Sequence, residues 1–249
     1  MREVLALIEK RKQELTKLAF FDFLQDTNID PKQRLAWAPC FAFFAMDFRD
    51  FNKDILRKEP ATDKIQEMIN LHTYEDARHW VWFLQDIKLL QLDHSINFTD
   101  TLRFLWGEET QKIRQFSRNL FALCTFEEDV LMKLAIIESI EAMGFVFSFA
   151  TAQVTNELRQ ITKQHYPYFG ESHHAVEQGH LQADMENVEN FIENIQLTQE
   201  QQEKAFTLVN RVFADFTDVC NEMVTFAKTH SYHQPFTTKM KIKQAVISA

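Results

Sequence analysis

The run "LAIIESIEAMGFVFSFA", residues 134–150, holds no proline, a single glycine and only two charged side chains, Glu138 and Glu141. It is too long for an ordinary strand, and helix-forming sequence continues on both sides. The spacing therefore predicts one long, largely buried helix from about Glu127 to Lys163. A chain with such a helix in its middle must cover it, and the composition says with what. The 249 residues include only 4 Gly and 5 Pro, too few for the many tight turns of an all-β protein. We expect an all-α fold, a single helical domain over residues 1–249, with 45% hydrophobic residues to build the core. The 24 Phe residues predict aromatic packing that can enclose an apolar cavity as readily as fill it.

Working outward, residues 3–24 carry apolar positions at helical spacing. Asp30 followed by Pro31 is an N-cap with proline at the first helical position, opening a helix to about residue 53 that Pro39 should kink. Helical periodicity resumes over about 62–90, then again near 99–106 and 108–123. Pro167 and Gly170 end the long helix, and Ser172 is placed to cap a helix running to about Ile195. Thr198 caps a further helix towards Lys228, and a short tail helix is expected beyond "SYHQPFTT". These add up to about seven or more helices with short connections and no internal repeat.

A net charge of −9 and a pI near 5.5 argue against a nucleic-acid partner, because phosphate binding needs concentrated Lys and Arg. The most apolar early run, "LAWAPCFAFFAM" at 35–46, contains a proline and is too short to cross a bilayer. The N-terminus lacks the long apolar core of a signal peptide, so no membrane association is expected. Cys40, Cys124 and Cys220 are odd in number and far apart, without a CxxC motif or disulfide framework. The reducing cytoplasm is the default compartment.

Glu138 and Glu141 stand one turn apart on one face of the apolar helix. A buried carboxylate is costly unless it is protonated, paired or bound to a metal, so the structural alternative is a buried Lys or Arg partner. Two more clusters add to them. In "HTYEDARHWVWF", residues 72–83, His72 and His79 nearly align on a helix that advances about 100° per residue, with Glu75 and Asp76 flanking the line. A polar outer face is the simpler explanation of that cluster alone, but Trp80, Trp82 and Phe83 follow at once. In "HHAVEQGH", His173, Glu177 and His180 share one face, and His174 points elsewhere. Three helices thus offer imidazole and carboxylate groups, the way helical proteins build dinuclear metal sites.

Two dinuclear patterns compete. The ferritin-like one needs a lone Glu plus Glu-x-x-His, twice. Glu177-x-x-His180 fits, Asp76-x-x-His79 is an approximate match, Glu141 serves as one lone acid and Asp47 as the other. It leaves His72 and His173 without a role. The second pattern uses both: the sequence resembles the haem-oxygenase-like dinuclear iron oxidases, the group that includes the chlamydial protein associating with death domains. There the first core helix carries Glu-x6-His, a middle helix one Glu, and a later helix His-x3-Asp/Glu-x2-His. His173, Glu177 and His180 match the third motif, Glu141 is the better candidate for the middle acid, and His79 matches the first motif. Position 72 is His where the family has Glu, so either His72 is itself a ligand or Glu75 or Asp76 supplies the carboxylate. Residues 71–84 are most similar to a branch containing a nitrile-forming enzyme that acts on a tryptophan derivative.

The resemblance implies a haem-oxygenase-like bundle binding two Fe(II) ions, with manganese as the alternative metal, and using O2 as co-substrate. It implies an oxidase or oxygenase acting on a small apolar or aromatic, amino-acid-derived molecule, with carbon–carbon or carbon–nitrogen chemistry and nitrile formation as its narrowest form. The metal ligands it implies are His72, His79, Glu141, His173, Glu177 and His180, with Glu75, Asp76 and Glu138 as alternates or as groups that orient the ligands. A homodimer is compatible with it. The rival expectations are a metal-free enzyme of the thiaminase or quinone-cofactor type, a ferritin-like di-iron protein, and a non-enzymatic interaction protein.

Overall fold

The computed structural model describes residues 1–180 and 185–236; the side chains of 177–189 lie outside that description. The described elements are α1 (Arg2–Leu15), α2 (Ala19–Gln25), α3 (Pro31–Arg34), α4 (Ala42–Asp50), α5 (Lys64–Asp76), α6 (His79–Leu89), α7 (Phe98–Leu105), α8 (Gln111–Thr125), α9 (Val130–Thr162), α10 (Glu171–His180), α11 (Met185–Asn194) and α12 (Gln199–Thr229). No strand occurs among the described residues, as the glycine and proline scarcity predicts. No described helix is long and apolar enough to cross a membrane.

The long apolar helix is α9, and α1, α2, α3, α5, α10 and α12 all pack against it. Its apolar residues point in every direction, so it is covered on most sides. The main cover, α12, shows the complementary pattern: Leu208, Val212, Phe216, Val219 and Met223 recur every three or four residues and are buried, while the opposite face is polar. Thr198 starts α12 with a full capping box, its hydroxyl accepting from the Gln201 amide while the Gln201 side chain accepts from the Thr198 amide. Asp129 caps α9 with its side chain alone, accepting from the Leu131 amide.

Several expected helices are divided. Residues 3–24 form α1 and α2 with a turn between them. The helix opened by Asp30 and Pro31 ends after one turn, because Arg34 turns inward: its guanidinium donates to the carbonyls of Leu24 (2.8 Å) and Ile29 (3.1 Å) and to Glu157 on α9. Pro39 then lies in a short 3-10 turn, Ala38–Phe41, that leads into α4, and α4 runs on into a π-helical turn at Phe51–Leu56. The 62–90 segment breaks at Ala77 and Arg78. Ser172 lies inside α10 instead of capping it, and its hydroxyl is 3.0 Å from His165 Nε2. The expected tail helix falls on residues outside the description.

Candidate metal centre

The break between α5 and α6 shapes the site. Arg57 donates from Nε to the Thr73 hydroxyl and from Nη2 to the Thr73 carbonyl, both at 2.9 Å. It thereby satisfies one of the carbonyls that the end of α5 leaves over. Asp76 is the last residue of α5 and His79 the first of α6, so both come to the junction from opposite sides.

His72 Nε2 stands 3.0 Å from Asp76 Oδ2 and 3.4 Å from Glu141 Oε1 on α9, and His79 Nδ1 is 3.6 Å from Asp76 Oδ1. One ligand atom from each of His72, Asp76 and Glu141 falls within a group spanning 4.8 Å. The Asp76 side chain is 3% exposed, that of His72 16% and that of Glu141 24%. Metal bonds of about 2.1 Å place neighbouring donors at right angles about 3 Å apart, so the separations of 3.0 Å and 3.4 Å from His72 Nε2 suit a shared ion. The same distances also suit an ion pair with a protonated His72.

His173, at the start of α10, approaches from another direction. Its ring lies edge-on to His79, with centroids 4.5 Å apart, and Trp82 stacks on the other imidazole at 4.9 Å and 23°. His173 Nδ1 is 2.8 Å from the Tyr168 carbonyl. A carbonyl can only accept, so Nδ1 carries the proton and the lone pair of the neutral ring is on Nε2, the atom a metal would take. The connection between α9 and α10 that supplies this carbonyl turns at Gly170, where a Cβ would sit 2.2 Å from the Tyr166 carbonyl oxygen. Asp86 of α6 pins the same connection by accepting the amides of Tyr168 (3.0 Å) and Phe169 (2.7 Å). Burial raises the Asp86 carboxyl to about 7, against the pull of those two amides and of His173.

Asp76, His79, Glu141 and His173 all line one cavity of about 60 Å³, room for a few water-sized groups, whose remaining wall is mostly aromatic: Phe44 and Phe48 from α4, Phe116 from α8, Phe147 from α9. His72 stands behind the wall, reaching it through Asp76 and Glu141.

Of the residues singled out in the sequence, the structure thus gathers His72, Asp76, His79, Glu141 and His173. Glu75 is exposed, because Asp76 continues the buried face of α5 through Ile69 and Thr73 and its neighbour, about 100° round the helix, faces outward. Glu138 is half-buried and does not line the cavity. Glu177 and His180 lie on the α10 backbone with side chains outside the described residues. His174 turns away to the Ser148 hydroxyl at 3.0 Å. Asp47, required by the ferritin-like pattern, accepts from Ser117 at 2.7 Å and does not line the cavity.

Asp86, Tyr168 and Trp82 were not legible as parts of a site. Asp86 had a signal of the same kind as Glu141, an acid within the apolar "HWVWFLQDIKL" and seven residues after His79. The three cysteines are free and buried, burial raises their thiols, and none lines the cavity among the described residues, so none resembles an activated nucleophile. Comparison with models of known protein families returns no match, and comparison with curated proteins returns none either.

Proposed function

We propose that the chain binds a dinuclear metal centre, with iron as the first choice and manganese as the second, and uses O2 to oxidise a small apolar or aromatic molecule. The observation that carries this reading is the convergence of His72, Asp76 and Glu141, with His79 and His173 on the wall of the same Phe-lined cavity. The donor set fits the group: imidazole nitrogens and carboxylate oxygens are the usual ligands of iron and manganese. His72, His79, Asp76, Glu141 and His173 would hold the metals, joined by Glu177 and His180 of α10. Bound iron would supply the one-electron and O2 chemistry that side chains lack.

The chain's own residues do the rest. Trp82 fixes the plane of His79, and the Tyr168 carbonyl fixes the tautomer of His173. The Phe44, Phe48 and Phe116 rings give the carboxylates an apolar wall on the cavity side, which strengthens charge interactions there. Phe41 and Phe147, stacked at 4.9 Å, make the wall aromatic, and because the cavity of about 60 Å³ holds only a few water-sized groups, an aromatic substrate would enter only as these rings move apart.

The test is an anaerobic Fe(II) titration followed by O2 consumption with aromatic amino acids and fatty acids as candidate substrates. Wild-type protein should take up about two irons per chain, the number a dinuclear site defines. His72→Ala, Asp76→Ala and Glu141→Ala should each lose metal, and Glu75→Ala should lose none. A wild-type chain that takes up no metal returns the cluster to an ion-paired group within a helical interaction protein.

A further inference from the structure

Asp86 has no exposed surface, and only its Oδ2 is engaged, by the amides of Tyr168 and Phe169. Its Oδ1 has no hydrogen-bond partner among the described residues. The Phe169 N–H and the Tyr168 C=O are the two ends of one peptide unit. That carbonyl accepts the Nδ1 proton of His173 at 2.8 Å. The order is carboxylate, N–H, C=O, N–H, imidazole, with a single peptide plane between the acid and the ring.

We propose that Asp86 is a positioning residue for the metal centre: through the peptide joining Tyr168 to Phe169 it orients the His173 ring and makes its Nε2 a stronger metal donor. A negative charge at the N–H end polarises the peptide and makes the carbonyl oxygen more negative. The carbonyl then draws harder on the Nδ1 proton and leaves more electron density on Nε2, as a carboxylate does when it touches a ligating histidine directly. A neutral amide side chain would hold the two backbone amides equally well. A buried acid that lacks a partner on one oxygen therefore points to a use for its charge. The metal half of this inference rests on the proposed function; the coupling of Asp86 to His173 does not.

Asp86→Asn keeps an acceptor oxygen for both amides and removes the charge. Three quantities are measured at pH 8: the chemical shift of the Nδ1-bound proton of His173 in the metal-free, 15N-labelled chain, the Co(II) affinity, and the thermal midpoint. The variant should show that proton moved upfield, Co(II) affinity lowered about tenfold or more, and a midpoint no lower than wild type. A folded variant with the proton unmoved and the affinity unchanged overturns the proposal, as does a lowered midpoint with the proton unmoved, which is the mark of a loop anchor alone. If wild type takes up no Co(II) while the proton still moves, the metal reading fails and the coupling stands. Should the variant not fold, scalar couplings across the two hydrogen bonds in wild type decide: from the Phe169 nitrogen to the Asp86 carboxyl carbon and from His173 Nδ1 to the Tyr168 carbonyl carbon. Absence of either refutes the relay.

Discussion

Asp76 and Asp86 are both buried acids in neighbouring helices, but their surroundings differ in kind: Asp76 has an imidazole at 3.0 Å, Asp86 only amide protons. For Asp86 the consequence is a pH dependence of stability with a definite sign. Its carboxyl is raised from 3.8 to about 7 by burial, so the native chain keeps a proton that the unfolded chain has already released. Below pH 3.8 both states are protonated and nothing is lost. Between that value and 7 stability falls as pH rises, and above 7 the loss is complete, on the order of 4 kcal/mol if no metal is bound. Denaturant titrations of metal-free wild type and Asp86→Asn across this window should show the variant gaining steadily, then running parallel above pH 7. A pH-independent difference would show that Asp86 keeps its ordinary acidity. Asp76 and Glu75 make a second contrast. They are adjacent in sequence, and from sequence either could supply the missing acid. The phase of α5 separates them: Asp76 continues the buried line of Ile69 and Thr73 while Glu75 faces outward, and Arg57, a side chain from outside the segment, holds Thr73 on that line.

The α9–α10 connection carries the tightest constraint at the scale of elements. A methyl group on Gly170 would lie 2.2 Å from the Tyr166 carbonyl, a backbone atom that cannot swing aside. Gly170→Ala should cost about 2–3 kcal/mol in denaturant unfolding, in the range of other overpacked sites. Because the same connection carries Tyr168, the metal affinity of the proposed centre should fall with it. A variant as stable as wild type would mean that the connection adopts another path. The ends of elements were legible in the sequence where their cause is local: Thr198 with Gln201, and Asp30 with Pro31. The long α9 was legible because its apolar pattern is self-contained. Breaks caused from a distance were not. The early end of α3 depends on Arg34 reaching Leu24, Ile29 and Glu157, and the α5–α6 junction depends on Arg57. The site followed the same rule: residues in dense polar clusters stood out, while Asp86 and Tyr168 matter through contacts between elements distant in sequence.

Across the whole molecule, Arg34 ties the N-terminal helices to α9. Its side chain is 1% exposed and its guanidinium serves two carbonyls besides Glu157, which is itself 40% exposed. Water reaches the Glu157 end and screens the ion pair, so the carbonyls of Leu24 and Ile29 dominate. Arg34→Met should lower stability by about 2–4 kcal/mol, the cost of stranding both oxygens, whereas Glu157→Gln should cost under about 1 kcal/mol. Equal losses in the two variants would assign the effect to the ion pair instead. The order of the elements along the chain has a further consequence, for biosynthesis. The longest described helix, the largely apolar Val130–Thr162, leaves the ribosome well before its main cover, Gln199–Thr229. At about 5–20 residues per second the nascent chain exposes that surface for several seconds. Nascent chains should therefore recruit a hydrophobic-binding chaperone in this interval, and ribosome-bound chains arrested before the second helix emerges should crosslink to it most strongly. Release should coincide with the emergence of Gln199–Thr229.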